Sequence, residues 1–79
     1  MNIKEKVFEI IADCLEKDIA DLTLGTDMEE VEEWDSMRNV MILSRLEEEF
    51  NIMIPEEDIF DLVTIGAIVE EIEKIKAEA

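Results

Sequence analysis

Apolar residues recur along this chain in three helical stripes, separated by two stretches with no regular period. The first stripe is Ile3, Val7, Ile10, Ile11, Cys14 and Leu15, with Glu5, Glu9, Asp13 and Glu16 on the other side. It predicts a helix from about Asn2 to Lys17, with Asn2 as N-cap. In the second, Ile42, Leu43, Leu46 and Phe50 share one face at about 100° per residue, which predicts a helix from Ser36 to Asn51 closed by Asn51. In the third, Ile65, Ile68, Val69, Ile72 and Ile75 follow Thr64 as a cap, Lys74 and Lys76 fall in the final turn, and the last few residues are expected to fray. Between the first two stripes Ile19, Leu22, Leu24, Met28 and Val31 are spaced irregularly, as anchors that pin a long loop onto a core, and Gly25 supplies a turn. Ile52, Met53 and Ile54 read as an apolar return to the core, too short and too isolated for a strand. Pro55 suits the first position of a short helix, with Glu56, Glu57 and Asp58 near its N-terminus and Ile59, Phe60 and Leu62 pointing inward. The expected fold is all-α: one domain, residues 1–79, a small bundle of three main helices plus one short helix.

Charge narrows the possible partners. The 79 residues carry 23 acids against 7 bases, a net charge of -16. Such a chain repels nucleic acid and anionic membrane surfaces, favours partners with basic patches, and should be stabilised by salt or divalent cations. A single cysteine excludes an internal disulfide and fits a reducing compartment. No apolar run approaches a membrane span, and the N-terminal segment is interrupted by Glu9 and Asp13, unlike a signal-peptide core. The expectation is a cytoplasmic monomer.

The sequence also argues against catalysis. It has no histidine and no tyrosine, which removes the commonest general base and metal ligand. Cys14 lies within the apolar stripe with nothing to activate it, so it reads as a core residue. The loop from Asp18 to Asp35 carries eight acids and no base. Asp18, Asp21 and Asp27 lack EF-hand spacing, so a solvated loop is favoured over loose calcium or magnesium binding. Of two serines, Ser44 falls in mid-helix as a surface residue, whereas Ser36 falls where the acidic loop meets the second helix. Asp35 beside it can cap that helix, and a phosphate on Ser36 would lie at the helix's positive end. Ser36 is better read as a substrate for another enzyme than as a nucleophile.

The order Asp35-Ser36-Met37, Leu46-Glu47-Glu48-Glu49-Phe50, Ile54-Pro55-Glu56-Glu57 and Thr64-Ile65-Gly66 resembles the acyl carrier protein family over nearly the whole chain. The resemblance implies a 4'-phosphopantetheine arm on Ser36, placed by a phosphopantetheinyl transferase whose metal ion lies near Asp35. It further implies acyl intermediates held as thioesters and delivered to acyl-loading and acyl-transferring enzymes with basic or mixed docking patches. It assigns partner contact to Met37, Arg38, Met41, Arg45 and Glu48. Arg38 and Arg45 replace acid or neutral positions on a face usually rich in acids, and read equally as surface ion pairs to neighbours such as Glu49 or as a change of partner. Trp34 also departs from the smaller residue usual before Asp-Ser and hints at a dedicated pathway. It is expected to anchor the loop end rather than to wall the arm. Met37 and the segment from Ile54 to Leu62 would flank an entrance through which the interior shelters an acyl chain. Two rival readings stand: an aminoacyl or D-alanyl carrier, and an acidic helical interaction module with no prosthetic group.

Overall fold

Three α-helices, α1 (Ile3–Leu15), α2 (Ser36–Phe50) and α3 (Ile65–Glu78), form the scaffold in the computed structural model, which describes residues 2–78. Two 3₁₀ helices, Ile19–Asp21 and Glu56–Asp61, lie in the connections. The first of them lies inside the loop where no helix was expected. Among the described residues no strand is present; Asp27 and Thr64 form an isolated antiparallel bridge.

Each α-helix begins at a side-chain cap that accepts an orphan N–H of the first turn. Asn2 Oδ1 accepts from Glu5 N at 2.8 Å, Asp35 Oδ1 from Arg38 N at 2.9 Å, and Thr64 Oγ1 from Ala67 N at 3.1 Å. At the C-terminal ends, Glu16 and Asn51 adopt left-handed backbone with φ of 56° and 54°. Asparagine tolerates that conformation and was legible as a stop, whereas Glu16 carries no such signal. α3 continues to Glu78, past the point where fraying was expected, and Ala79 lies outside the described residues.

The stripes meet as their spacing predicts. Val7, Ile11 and Leu15 of α1, Ile42 and Leu46 of α2, and Ile65, Ile68 and Ile72 of α3 are at most 1% exposed, with Trp34 packed among them. Cys14 is buried in the same core, and Phe50 and Ile75 pack on it half-buried.

The connections depart from expectation in four places, and for Phe60 and Met53 the cause is geometric. Phe60 points outward and is 85% exposed. In a 3₁₀ helix, residues three apart align; Ile59 and Leu62 are so spaced and take the inner side, which turns Phe60 away. Met53 is 83% exposed, because in an extended segment alternate side chains oppose, and Ile52 and Ile54 face the core. Ile19 and Leu24 are also exposed, leaving buried Leu22 and half-buried Met28 and Val31 as the anchors. Pro55 stands just before the short helix, with φ of -58° and ψ of 133°, rather than in its first turn.

Backbone bonds, more than side chains, pin the long loop to the start of α3. Met28 N donates to Val63 O at 2.8 Å, Ile65 N to Thr26 O at 3.1 Å, and Gly66 N to Leu24 O at 2.8 Å. The turn containing Gly25 is closed by Thr26 N donating to Thr23 O at 3.0 Å. Gly66 is required by this close approach, since a Cβ there would stand 2.9 Å from the Leu24 carbonyl oxygen. Gly66→Ala is therefore expected to destabilise the chain by about 1–3 kcal/mol, the usual cost of overpacking. That outweighs alanine's helix advantage of at most about 1 kcal/mol. Urea unfolding of the variant checks this; unchanged stability would contradict it.

The short helix approaches α3 through two acids. A hydrogen bond with Asp58, aided by desolvation and by Asp58's charge, raises the Glu71 carboxyl above its ordinary pKa. A raised carboxyl binds its proton more tightly folded than unfolded, so its contribution to stability is present at low pH and is lost as pH rises through the folded value. Glu71→Gln should therefore raise the melting temperature at neutral pH, with the gain shrinking as pH falls toward 4. A gain independent of pH would contradict this origin.

Candidate functional site

The long loop is tied at its end by one buried pair. Trp34 is 1% exposed, and its Nε1 donates to Asn39 Oδ1 at 2.9 Å. Asn39 is the buried polar side chain of the core, 7% exposed. The expected anchor role of Trp34 is thus the observed one, while Asn39 was missed. Its signal was available: five residues after Trp34, at about 100° per residue, it falls on the arc of Ile42 and Leu46.

Between these two residues the chain turns into α2. Asp35, extended at φ -93° and ψ -177°, caps the helix, and Ser36 is its exposed first residue. The first turn of α2 contains no acid, so its outward N–H groups and partial positive charge are balanced only by Asp35. Ser36 also borders a cleft of about 230 Å³ lined by Met28, Asn39, Val40, Ile59, Phe60 and Val63. The short helix therefore flanks this cleft as expected, but Met37 does not; Val40, one turn on, takes that place. Larger grooves, of about 580 and 440 Å³, lie along α1 and do not include Ser36.

The residues predicted to meet partners divide into two groups. Met37 and Met41 are 76% and 50% exposed, and Glu48 is exposed on the same outer ridge. Arg38 and Arg45 instead lean onto the C-terminal end of α1. Arg38 donates to the Cys14 carbonyl and lies 3.9 Å from Glu16 Oε2. Arg45 Nη1 lies 2.6 Å from Asp13 Oδ2 and 3.4 Å from Cys14 Sγ. The hydrogen bond that Arg45 donates to Asp13, then the one it donates to Cys14, raises the Arg45 pKa. α1 has no base in its own last turn, so α2 supplies the cations that suit its free carbonyls. The expected pairing with Glu49 is not made; Glu49 pairs with Lys6 at 3.1 Å.

Near the site, Glu33 pairs with Lys17 at 3.3 Å. A backbone hydrogen bond, then Lys17, lowers its pKa and keeps it ionised. Among the described residues no group of three or more His, Cys, Asp or Glu side chains is placed to hold a metal ion.

A family model described as a phosphopantetheine attachment site matches residues 5–72. The chain belongs to the phosphopantetheine-binding acyl carrier protein family. An acyl carrier protein of Streptococcus pneumoniae is 35% identical over 74 residues, covering 94% of this chain and 96% of the relative. One from Amoebophilus asiaticus is 36% identical over 77 residues, 98% and 96% of the two chains. One from Rickettsia bellii is 29% identical over 76 residues, 96% and 88%. The carrier's cofactor is therefore a covalently bound 4'-phosphopantetheine, and its helical bundle is the family's. The α2 N-terminus fits that group: it offers an exposed hydroxyl, unpaired N–H groups and a free cleft beside them. No helix among the described residues is long and apolar enough to cross a membrane.

Proposed function

We propose that this chain, acting as one domain, holds acyl groups as thioesters on an arm bonded to Ser36 Oγ, and delivers them to the enzymes that process them. One observation carries the reading: an exposed serine opens α2 within a chain matched to the attachment-site family over residues 5–72. When bound, the arm supplies the terminal thiol that forms the thioester. The carrier's own residues do the rest. Ser36 gives the oxygen, and the α2 N-terminus faces the phosphodiester with its positive end. Asp35 uses Oδ1 on the Arg38 N–H, which leaves Oδ2 for the transferase's metal ion. The Trp34–Asn39 pair holds this corner rigid, so that a flexible arm starts from a fixed point. The tether then raises the local concentration of cargo at each partner site. The carrier itself needs no catalytic base.

Incubation with coenzyme A and a broad-range phosphopantetheinyl transferase should add one phosphopantetheinyl group, located by peptide mapping to Ser36. Addition on Ser44 would refute the site. No addition, under conditions that modify a control carrier, would favour the acidic interaction module. Loading by acyl-adenylating but not aminoacyl-adenylating enzymes is the expected cargo result.

A further inference from the structure

The side chain of Asn39 carries one hydrogen-bonding group that the fold does not use. Its partner fixes how the amide is turned. The Trp34 indole N–H can only donate, so the atom facing it at 2.9 Å must be the Asn39 oxygen. Nδ2 is then directed away from Trp34, and among the described residues it donates to no protein atom. Yet no side-chain nitrogen or oxygen there is sealed from solvent without a partner. Nδ2 therefore touches open space, although Asn39 is only 7% exposed. The open space that Asn39 lines is the cleft beside Ser36. Apart from these two residues the cleft is apolar, lined by Met28, Val40, Ile59, Phe60 and Val63. Apolar walls with one convergent donor are the composition of a small-ligand site. The volume of about 230 Å³ falls below the roughly 300–1,000 Å³ of sites for drug-sized ligands, so the cleft suits a fragment.

Reach selects the fragment. In an arm bonded to Ser36 Oγ, the phosphodiester is followed by a methylene, a carbon bearing paired methyl groups, a hydroxyl-bearing carbon and an amide carbonyl. This branched segment leaves from the rim of the cleft. The thiol lies farther out, beyond two amide-linked spacers, and cargo on it would enter the cleft only if the arm doubled back. We propose that in the holo carrier the first segment of the arm rests in this cleft. Its paired methyl groups lie against Val40, Ile59 and Val63, and its hydroxyl or carbonyl oxygen accepts from Asn39 Nδ2. Asn39 is thus a positioning residue for the arm, and Trp34 holds its donor in the required direction. A neutral hydrogen bond exchanged for one to water contributes little net free energy, so the contact is reversible and a partner enzyme can draw the arm away. Ordering the first segment in advance also lowers the entropy lost when the arm enters a partner. The inference rests on the carrier reading above.

The test compares apo and holo forms of the same chain, the holo form made with coenzyme A and a broad-range transferase and checked by intact mass. In the holo parent, nuclear Overhauser contacts should join the arm's methyl groups to Val40, Ile59 and Val63, and the Asn39 side-chain NH₂ resonances should move from their apo positions. The holo form should melt about 4 °C or more above the apo form, the shift expected of one added hydrogen bond. Asn39→Asp keeps an acceptor for Trp34 Nε1 and removes the donor. Trp34→Phe with Asn39→Leu removes the donor without adding charge. Each variant is compared with its own apo form, so the cost of the substitution to the fold cancels. In both, the methyl contacts should vanish and the holo-minus-apo melting difference should fall by about half or more, leaving the part due to a phosphate at the helix N-terminus. Arm methyl resonances at their free pantetheine positions, with the Asn39 NH₂ unmoved, would overturn the inference and leave the carrier reading standing. Methyl contacts kept in both variants would overturn the role of Asn39. Contacts made by an acyl chain instead of the arm's methyl groups, seen only once the thiol is loaded, would overturn it in favour of cargo as occupant. A parent chain left wholly unmodified, beside a control carrier that is modified, would defeat the carrier reading itself.

Discussion

Ser36→Ala takes up no phosphopantetheine from coenzyme A and a competent transferase, yet melts within about 4 °C of the parent chain. The first half of this expectation follows from the inventory of hydroxyls. The sequence has no tyrosine, two serines and three threonines. Thr23 and Thr26 are turned toward each other, with Thr26 Oγ1 accepting from Thr23 N at 2.8 Å. Thr64 Oγ1 is engaged as the cap of α3. Ser44 is exposed but lies two turns along α2, beyond the field of its first turn. That leaves Ser36 as the hydroxyl at a helix N-terminus. The second half follows from exposure: alanine at this position removes no buried contact, and it is the better helix former. Intact mass measurement reads the uptake, and circular dichroism reads the melt. Uptake by Ser36→Ala, or loss of the fold, would contradict the assignment, whereas Ser44→Ala should behave as the parent.

The second large effect concerns stability. Trp34→Ala should remove most of the folding free energy. Truncating a buried tryptophan costs about 3–5 kcal/mol, and it leaves the Asn39 carbonyl oxygen buried without its donor, a further cost of about 1–3 kcal/mol. A chain of this length is stable by roughly 4–12 kcal/mol, so the variant should be largely unfolded in moderate urea. Trp34→Phe keeps most of the packing but still orphans Asn39, and should lose less. Adding Asn39→Leu to Trp34→Phe should recover part of that loss, because replacing both members of a buried pair costs less than replacing one. Urea unfolding of the three variants checks the order. A double variant weaker than Trp34→Phe by the full cost of Asn39→Leu alone would show that the two side chains are not coupled.

The helices were legible because each carries its signals locally. The apolar stripes, and Asn2, Asp35 and Thr64 as caps, all lie within a few residues of what they control. The corner of Asp35 and Ser36 was legible as a helix start for the same reason, since the cap and the first helical residue are adjacent. Two of the errors fell in the connections. Phe60 and Met53 are as apolar as any core residue, and composition placed them inside. The local backbone, a 3₁₀ turn in one case and an extended segment in the other, decided that they face water. Phe60 also lines the cleft beside Ser36, so the misread residue borders the candidate site.

What the amino-acid order determined by itself is the set of elements: three amphipathic helices, their caps, an acidic loop and one serine at a helix start. These follow from periods and cap chemistry that operate over three or four residues. What only the tertiary structure decided is how distant residues share work. It turned Arg38 and Arg45 onto the end of α1 and brought Leu24 against Gly66. Hydrogen bonds and ion pairs act over a few ångströms of space whatever the separation in sequence, so no local period could announce them.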